Sequence, residues 1–434
     1  MSIRRAIFRR VQTTITLTTT AALAGLTGIA GLTLAPAAHA DDSGVQVFAA
    51  STASSPTDPS LTAFYTPPAT VPSTPGTVIR TQSFSPKSVG LLPFNGTGVR
   101  VMFSSTDALG RPIAVTGAIL LPNARWWGSG ARPVVAYDTG TVGMADRCAP
   151  SRGMTNGSWE EGGFASAALD RGWVVAVNDY YGLGTPGIEH AYMVRKTSAY
   201  ATLDLIRAAQ SLSMTGLNTP SPVGIMGYSE GGGAAAAAAE LAASYAPSLN
   251  IKGVAMGAVP ADLAAVAQSL DGGAYAAFLF YAVSGLATSY DVNLSTYLNT
   301  SGLSLLTQVR DSCVIDGLGL GAFKRTSNYT VNGQSASAYF AAAPWNAILA
   351  DNKIGNIKPR MPVFVSHSLL DDVIPYSIGR NLGRSWCSKG ANVTFRPLGM
   401  ATHIGASLTS YPAQISWLND RFNGYGTWSN CGWF

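Results

Sequence analysis

The feature that most constrains this chain is a serine held between small residues at a strand-to-helix junction. Gly227-Tyr228-Ser229-Glu230-Gly231 directly follows the apolar run Val223–Met226 and directly precedes the small-residue run Gly232–Ala239. A strand, a sharp turn and a helix with serine at the tip need small neighbours, because strand and helix nearly touch. The turn lifts the hydroxyl into the open, where a base can reach it. In a chain with 47 Gly the pentapeptide alone is weak, and a plain Gly-rich turn is the competing reading. The strand before and the helix after carry the weight.

The ends and composition bound the remaining possibilities. Arg4, Arg5, Arg9 and Arg10 precede an uncharged stretch that ends Ala38-His39-Ala40, followed by Asp41-Asp42. This reads as a signal peptide over residues 1–40, cleaved near Ala40, and so as a secreted chain. Arg4-Arg5 leaves the export route open. The stretch is rich in Thr, Ala and Gly, which fits a membrane anchor less well, and no later run is long enough to span a bilayer. Four of the 28 basic residues and none of the 23 acidic ones lie in that segment, so the mature chain is nearly balanced. There is therefore no electrostatic case for a nucleic-acid partner. Cys148, Cys313, Cys387 and Cys431 read as two disulfides in an exported protein. No Cys-x-x-Cys occurs and histidine is scarce, so the spacing is not that of a zinc site. We expect no metal and no cofactor.

Residues 41–75 are rich in Ser, Thr, Pro and Ala and read as a leader or strap, with Phe64-Tyr65 marking a part that packs. Beyond it, Val99–Phe103, Ile113–Leu121, Pro133–Tyr137, Trp173–Val177, Val223–Met226, Ile251–Val259, Pro362–Val365 and Asn392–Pro397 read as strands. Helical patterns fall at Ala165–Ala168 and Lys196–Leu212. Strands alternating with helices predict an α/β fold, a mostly parallel central sheet covered on both faces. The alternation lapses between Val259 and Pro362, so residues 261–355 read as a helical cap inserted into a core of residues 76–260 and 356–434. The cap's position places it over the serine, where it would line an apolar acyl site; extra scaffold is the competing reading.

A serine nucleophile needs a base and an orienting acid. Outside the signal peptide the histidines are His190, His367 and His403. His403 lies in a loop after the last strand, where a base for this serine belongs. His367 reads as structural, and His190 precedes the serine in the chain. Asp371 and Asp372 both precede His403; Asp371 is the expected acid and Asp372 an ordinary charge at a helix start. The order Ser229, Asp371, His403 is the one used by α/β-hydrolases. His403 would take the Ser229 proton during attack on an ester, and Asp371 would fix the imidazole tautomer. Oxyanion donors would be the Glu230 backbone N–H and Thr141, with Gly140 and Val142 as alternatives at the second position.

At this point the chain resembles the secretory lipase family, the α/β-hydrolases typified by fungal lipase A. The resemblance rests on Phe64-Tyr65 with Pro75-Gly76-Thr77-Val78, and on Gly140-Thr141-Val142-Gly143 leading to Asp146-Arg147-Cys148. Asn178-Asp179-Tyr180-Tyr181-Gly182-Leu183-Gly184, the Gly227–Gly231 elbow, and Asp371…Pro375 with His403 complete it. It implies a capped lipase or carboxylesterase acting on ester or lipid substrates, with a lipid–water interface as a further partner. The chain departs from the fungal pattern at Gly140–Gly143, where an acidic residue is usual. The resemblance also implies two disulfides. With the positions of the cysteines it favours Cys148–Cys313 and Cys387–Cys431 among the three pairings. The same residues would serve an acyltransferase or a short-chain or polymer esterase. A catalytically dead hydrolase-fold binding protein is the reading from another class.

Overall fold

A computed structural model describes residues 59–218 and 220–434. The signal peptide, its cleavage site near Ala40 and the leader up to residue 58 lie outside the described residues. Among the described residues nine strands form one sheet in the order β1-β2-β3-β5-β4-β6-β7-β8-β9. They are β1 (Val78–Phe84), β2 (Gly96–Thr106), β3 (Pro112–Pro122), β4 (Val134–Asp138), β5 (Val174–Tyr180), β6 (Val223–Tyr228), β7 (Ile251–Gly257), β8 (Val363–Ser368) and β9 (Val393–Leu398). The β1–β2, β2–β3 and β3–β5 pairs are antiparallel, and every later pair is parallel.

Residues dictate this order locally. β4, β5 and β6 are buried along their whole length. Their near-continuous apolar sequence is what a central strand covered on both faces requires. Each fully buried Val, Leu or Met contributes roughly 1.5–3 kcal/mol of transfer free energy. β1 escapes the sequence pattern for the converse reason. It is an edge strand, reads Val-Ile-Arg-Thr-Gln-Ser-Phe, and buries no residue fully.

The opposite edge is covered by the C-terminal tail. The Asn430 side chain accepts a hydrogen bond from Phe395 N–H at 2.8 Å and donates one to the Phe395 carbonyl at 2.7 Å. The side-chain amide thus occupies both outward groups of Phe395, and the Asn430 N–H donates to Val393 O at 3.1 Å, which blocks part of an edge that would otherwise template pairing. The next residue, Cys431, is bridged to Cys387 at the end of the helix Tyr376–Ser388.

Between β7 and β8 the chain is helical, with helices at Leu263–Leu270, Ala277–Ser289, Thr300–Arg310, Val314–Gly321, Ala336–Phe340 and Trp345–Asn352. Asp262 and Asn299 cap the first and third of these through their side chains, at 3.2 and 2.9 Å. The described residues form one compact unit, so this segment is an excursion of the core rather than a separate body. It is tied back beside β4. Cys313 is bridged to Cys148, Val314 N–H donates to Val142 O at 2.8 Å, and Met144 N–H donates to Ser312 O at 3.0 Å.

The tail bridge closes a loop with a sequence separation of 44. Replacing Cys387 and Cys431 together by Ser should cost ~2–4 kcal/mol of unfolding free energy. Denaturant unfolding measures this, and limited proteolysis should then cut first in residues 423–434. An unchanged midpoint would show that the Asn430 contacts hold the tail unaided.

Candidate active site

Ser229 is the cap residue between β6 and the helix Glu230–Tyr245, with φ 60° and ψ −119°. A non-glycine residue holds such a backbone only where its surroundings fix it. The flanking glycines show how tightly they do. A Cβ on Gly231 would lie 1.9 Å from the Asp138 carbonyl oxygen, and one on Gly227 would lie 2.3 Å from the Gly231 carbonyl oxygen. The run Ala234–Ala239 is buried throughout, so the helix lies directly on the sheet.

His403 brings its Nε2 to 2.8 Å from Ser229 Oγ, and its Nδ1 lies 3.0 and 2.9 Å from the two Asp371 oxygens. A carboxylate can only accept, so Nδ1 carries the proton and the Nε2 lone pair faces the serine. Burial alone would raise the Asp371 carboxyl. Hydrogen bonds from His403 and from the Ile374 N–H (2.8 Å) outweigh it and hold the group below its ordinary value. His403 is not in a loop: it opens the final helix His403–Phe422, behind the Thr402 cap. Its backbone is clamped at both groups. Tyr228 OH donates to the His403 carbonyl at 2.7 Å, and His403 N–H donates to Asp372 at 2.7 Å. Asp372 also accepts from Tyr275 OH at 3.1 Å and stands outside the following helix, so it is a clamp on the His403 backbone rather than a helix-start charge.

His367 is fully buried within β8; its Nε2–H donates to Ile374 O at 2.9 Å, and burial pushes its pKa down. His190 is also buried, with Nε2 2.8 Å from Glu230 Oε1. The Glu230 side chain is thus engaged by His190, and its backbone N–H is the first of a helix, a position without a partner one turn back.

The loop after β4 is held from below. Gly140 N–H and Thr139 Oγ1 both donate to Glu161 Oε2 at 3.0 Å, so the Gly140 amide is already committed. Thr141 shares a hydrogen bond of 2.8 Å between its Oγ1 and Tyr192 OH. Nothing in the spacing of Glu161 marked it, because it lies in a segment with no clear periodic pattern.

An apolar cavity opens on Ser229. Leu263, Val266, Leu270, Phe278, Leu279 and Ala282 from the helical segment line it, with Val373 and Ile374 from the acid loop, around ≈ 40 Å³ of free volume. Phe280 and Phe340 line a different apolar cavity inside the helical segment. No group of metal ligands occurs among the described residues, and no described helix is long and apolar enough to cross a membrane.

Burial pushes the Asp138 and Glu161 carboxyls up to about 7. Asp138 Oδ1 accepts from Thr202 at 2.7 Å, while its Oδ2 has no partner. Between the ordinary carboxylate range and about 7 the folded chain holds protons that the unfolded chain has released. Stability from these groups therefore falls as pH rises through that window. Asp371, depressed, acts in the opposite sense and only below its ordinary value. His367, pushed down, works in the opposite sense up to its ordinary value, so the test is the difference between chains: from pH 5 to 7.5 the unfolding temperature of Asp138→Asn should fall less, or rise more, than that of the parent. Equal slopes in parent and variant would contradict the assignment.

Residues 159–430 match the family model described as secretory lipase. Lipase A of Arthroderma benhamiae is 30% identical, over 87% of this chain and 82% of that protein. A protein of Mycobacterium tuberculosis named as a probable inactive lipase is 29% identical, over 84% of this chain and 83% of that protein. The closed-state structure of Candida antarctica lipase A superposes with a TM-score of 0.76 at 24% identity, covering 85% of this chain and 87% of that one. That likeness speaks for the fold, an α/β-hydrolase. The chain is a carboxylic-ester hydrolase of the secretory lipase family.

Proposed function

We propose that this is a secreted lipase or esterase that cleaves acyl esters, triacylglycerols among them, through an acyl-enzyme on Ser229. The observation that carries the reading is the continuous contact from Ser229 Oγ to His403 Nε2 and from His403 Nδ1 to Asp371, at 2.8 Å and then 2.9–3.0 Å. Ser229 Oγ attacks the ester carbonyl carbon while its proton passes to His403 Nε2. Asp371 stabilises the imidazolium. The same proton then goes to the leaving alcohol oxygen as its bond to carbon breaks. Water repeats the sequence on the acyl-enzyme, giving its proton to His403 and releasing the carboxylic acid and a free Ser229. The Glu230 N–H and a donor of Thr141 would hold the oxyanion. The helical segment 261–355 would act as a cap whose Phe278 and Leu279 meet the acyl chain. An Ala40 cleavage site belongs to the same reading.

One relative bears the name of an inactive lipase, which keeps a dead hydrolase-fold binding protein in view. An assembled Ser229–His403–Asp371 contact favours catalysis, because a chain relieved of chemistry has no need to keep a buried carboxylate against an imidazole. A fluorophosphonate probe separates the two readings: it should label the parent chain at Ser229. No labelling would overturn the hydrolytic reading.

Ser229→Ala and His403→Ala should each reduce kcat by several orders of magnitude, on the scale seen when triad members are removed. Asp371→Asn should be severe and Asp372→Asn mild, since an amide oxygen still accepts from His403 N–H. A larger loss at Asp372 would reassign the acid.

Chain-length preference should move with Phe278→Ala and Leu279→Ala, and not with Phe280→Ala. A profile of p-nitrophenyl esters from acetate to palmitate reads this out. An unchanged profile in all three variants would make the segment scaffold rather than acyl site.

A further inference from the structure

Glu161 directly precedes the helix Gly162–Leu169, a position where a short side chain such as Asp or Ser ordinarily accepts from the helix. Its side chain makes no such bond. It turns instead into the core beneath β4, where its two oxygens reach two different elements of the site. Oε2 accepts from Gly140 N–H and from Thr139 Oγ1, both at 3.0 Å. Oε1 accepts from Tyr411 OH at 2.8 Å. Tyr411 belongs to the helix that begins with His403. One carboxyl group therefore spans the loop expected to face the oxyanion and the helix that carries the base.

The surroundings leave that carboxyl little freedom. Trp159 Nε1 donates to Thr139 Oγ1 at 3.1 Å, and Tyr180 OH donates to the Thr139 carbonyl at 2.8 Å. Thr139 is thus engaged at both its hydroxyl and its carbonyl. A Cβ on Gly140 would stand 2.8 Å from Glu161 Oε1, so carboxyl and loop are in close contact. The Tyr411 ring stacks on Tyr137 at 5.4 Å, which fixes the direction of its hydroxyl. The carboxyl held among these parts is the direct link between loop and helix.

We propose that Glu161 is a positioning residue for ester hydrolysis: it sets the loop Thr139–Thr141 in register with His403, so that oxyanion donors and base keep their mutual placement. This rests on the hydrolytic reading of Ser229, Asp371 and His403. Glu161 touches neither substrate nor reacting atoms and acts through the loop. Displacement of an oxyanion group by about 1 Å costs on the order of 10²-fold in rate, so a shift of one methylene at Glu161 is enough to test it.

The test compares Glu161→Asp with Glu161→Gln on p-nitrophenyl butyrate. Aspartate keeps the carboxyl group but withdraws it by one methylene. Glutamine keeps the reach, and its amide oxygen can accept both loop bonds while its NH₂ meets the Tyr411 oxygen. Glu161→Asp should lower kcat by about 10²-fold with KM within about threefold, and weaken an alkylboronic acid, which forms a tetrahedral adduct on Ser229, by a similar factor. Glu161→Gln should restore kcat to within about tenfold of the parent. Parental kcat and boronate affinity in Glu161→Asp would overturn the proposal, as would equal losses in both variants with kcat and KM moving together. A parent chain that reacts with fluorophosphonate while Glu161→Asp behaves as parent overturns this proposal alone. A parent that neither turns over ester nor reacts overturns the hydrolytic reading, and this proposal with it.

Discussion

The close approach of the nucleophile helix to the sheet is the constraint on which the site depends. Ser229 holds φ 60° only because β6 ends against Asp138 on one side and β7 on the other, with Ser229 N–H donating to Gly257 O at 3.0 Å. A strained residue of this kind costs on the order of 1–3 kcal/mol and persists when its neighbours over-determine it. Here the neighbours are the buried alanines of the helix, which let it lie on the strands without side chains in between. The other end of the helix is secured by a buried ion pair between Glu240 and Arg195. The other Glu240 oxygen accepts from Gly355 N–H at 2.8 Å and Trp386 Nε1 at 3.0 Å, where the helical segment rejoins the core. Elbow and helical segment are thus braced against the same helix.

Around that helix the chain has buried an unusual amount of acid. Asp138, Glu161, Glu230 and Asp371 all lie close to the elbow, yet each has a different partner. Asp371 faces an imidazole and backbone N–H groups and is held ionised. Asp138 and Glu161 face hydroxyls and an amide, and burial dominates them. Glu230 is matched to His190. Removing one partner of such a buried set leaves an uncompensated polar group, so the set is costly to disturb piecemeal. This is the physical sense in which Asp371 differs from its neighbour Asp372. The first is enclosed between imidazole and backbone; the second clamps the His403 amide from a position also open to Tyr275.

Much of this was legible before any coordinates, and the parts that were not share a cause. Strands buried on both faces announce themselves as apolar runs, so β4 to β8 read clearly, while the half-exposed β1 did not. Ser229, Asp371 and His403 stood out because each sits where a strand ends and the chain turns. Glu161 and Asp372 were missed or misread because their roles depend on what packs against them from far along the chain. Glu161 is bonded to a hydroxyl 250 residues away, and Asp372 to an amide 31 residues away. No local spacing encodes such a pairing.

The helix Ala277–Ser289 shows the same limit within one element. Its sequence is apolar on nearly every face, so no hydrophobic stripe distinguishes one side. Adjacent residues on a helix point about 100° apart. Phe278, Leu279 and Ala282 consequently face the cavity at Ser229, Phe280 and Val283 face the second cavity, and Tyr281 OH meets Ser312 Oγ at 3.0 Å. One helix therefore forms a wall of the site, fills the interior of the segment and, through Ser312 beside the Cys148–Cys313 bridge, meets the loop that follows β4. The cavity at Ser229 and the loop that follows β4 are, for that reason, joined through one helix, each by a different face of it.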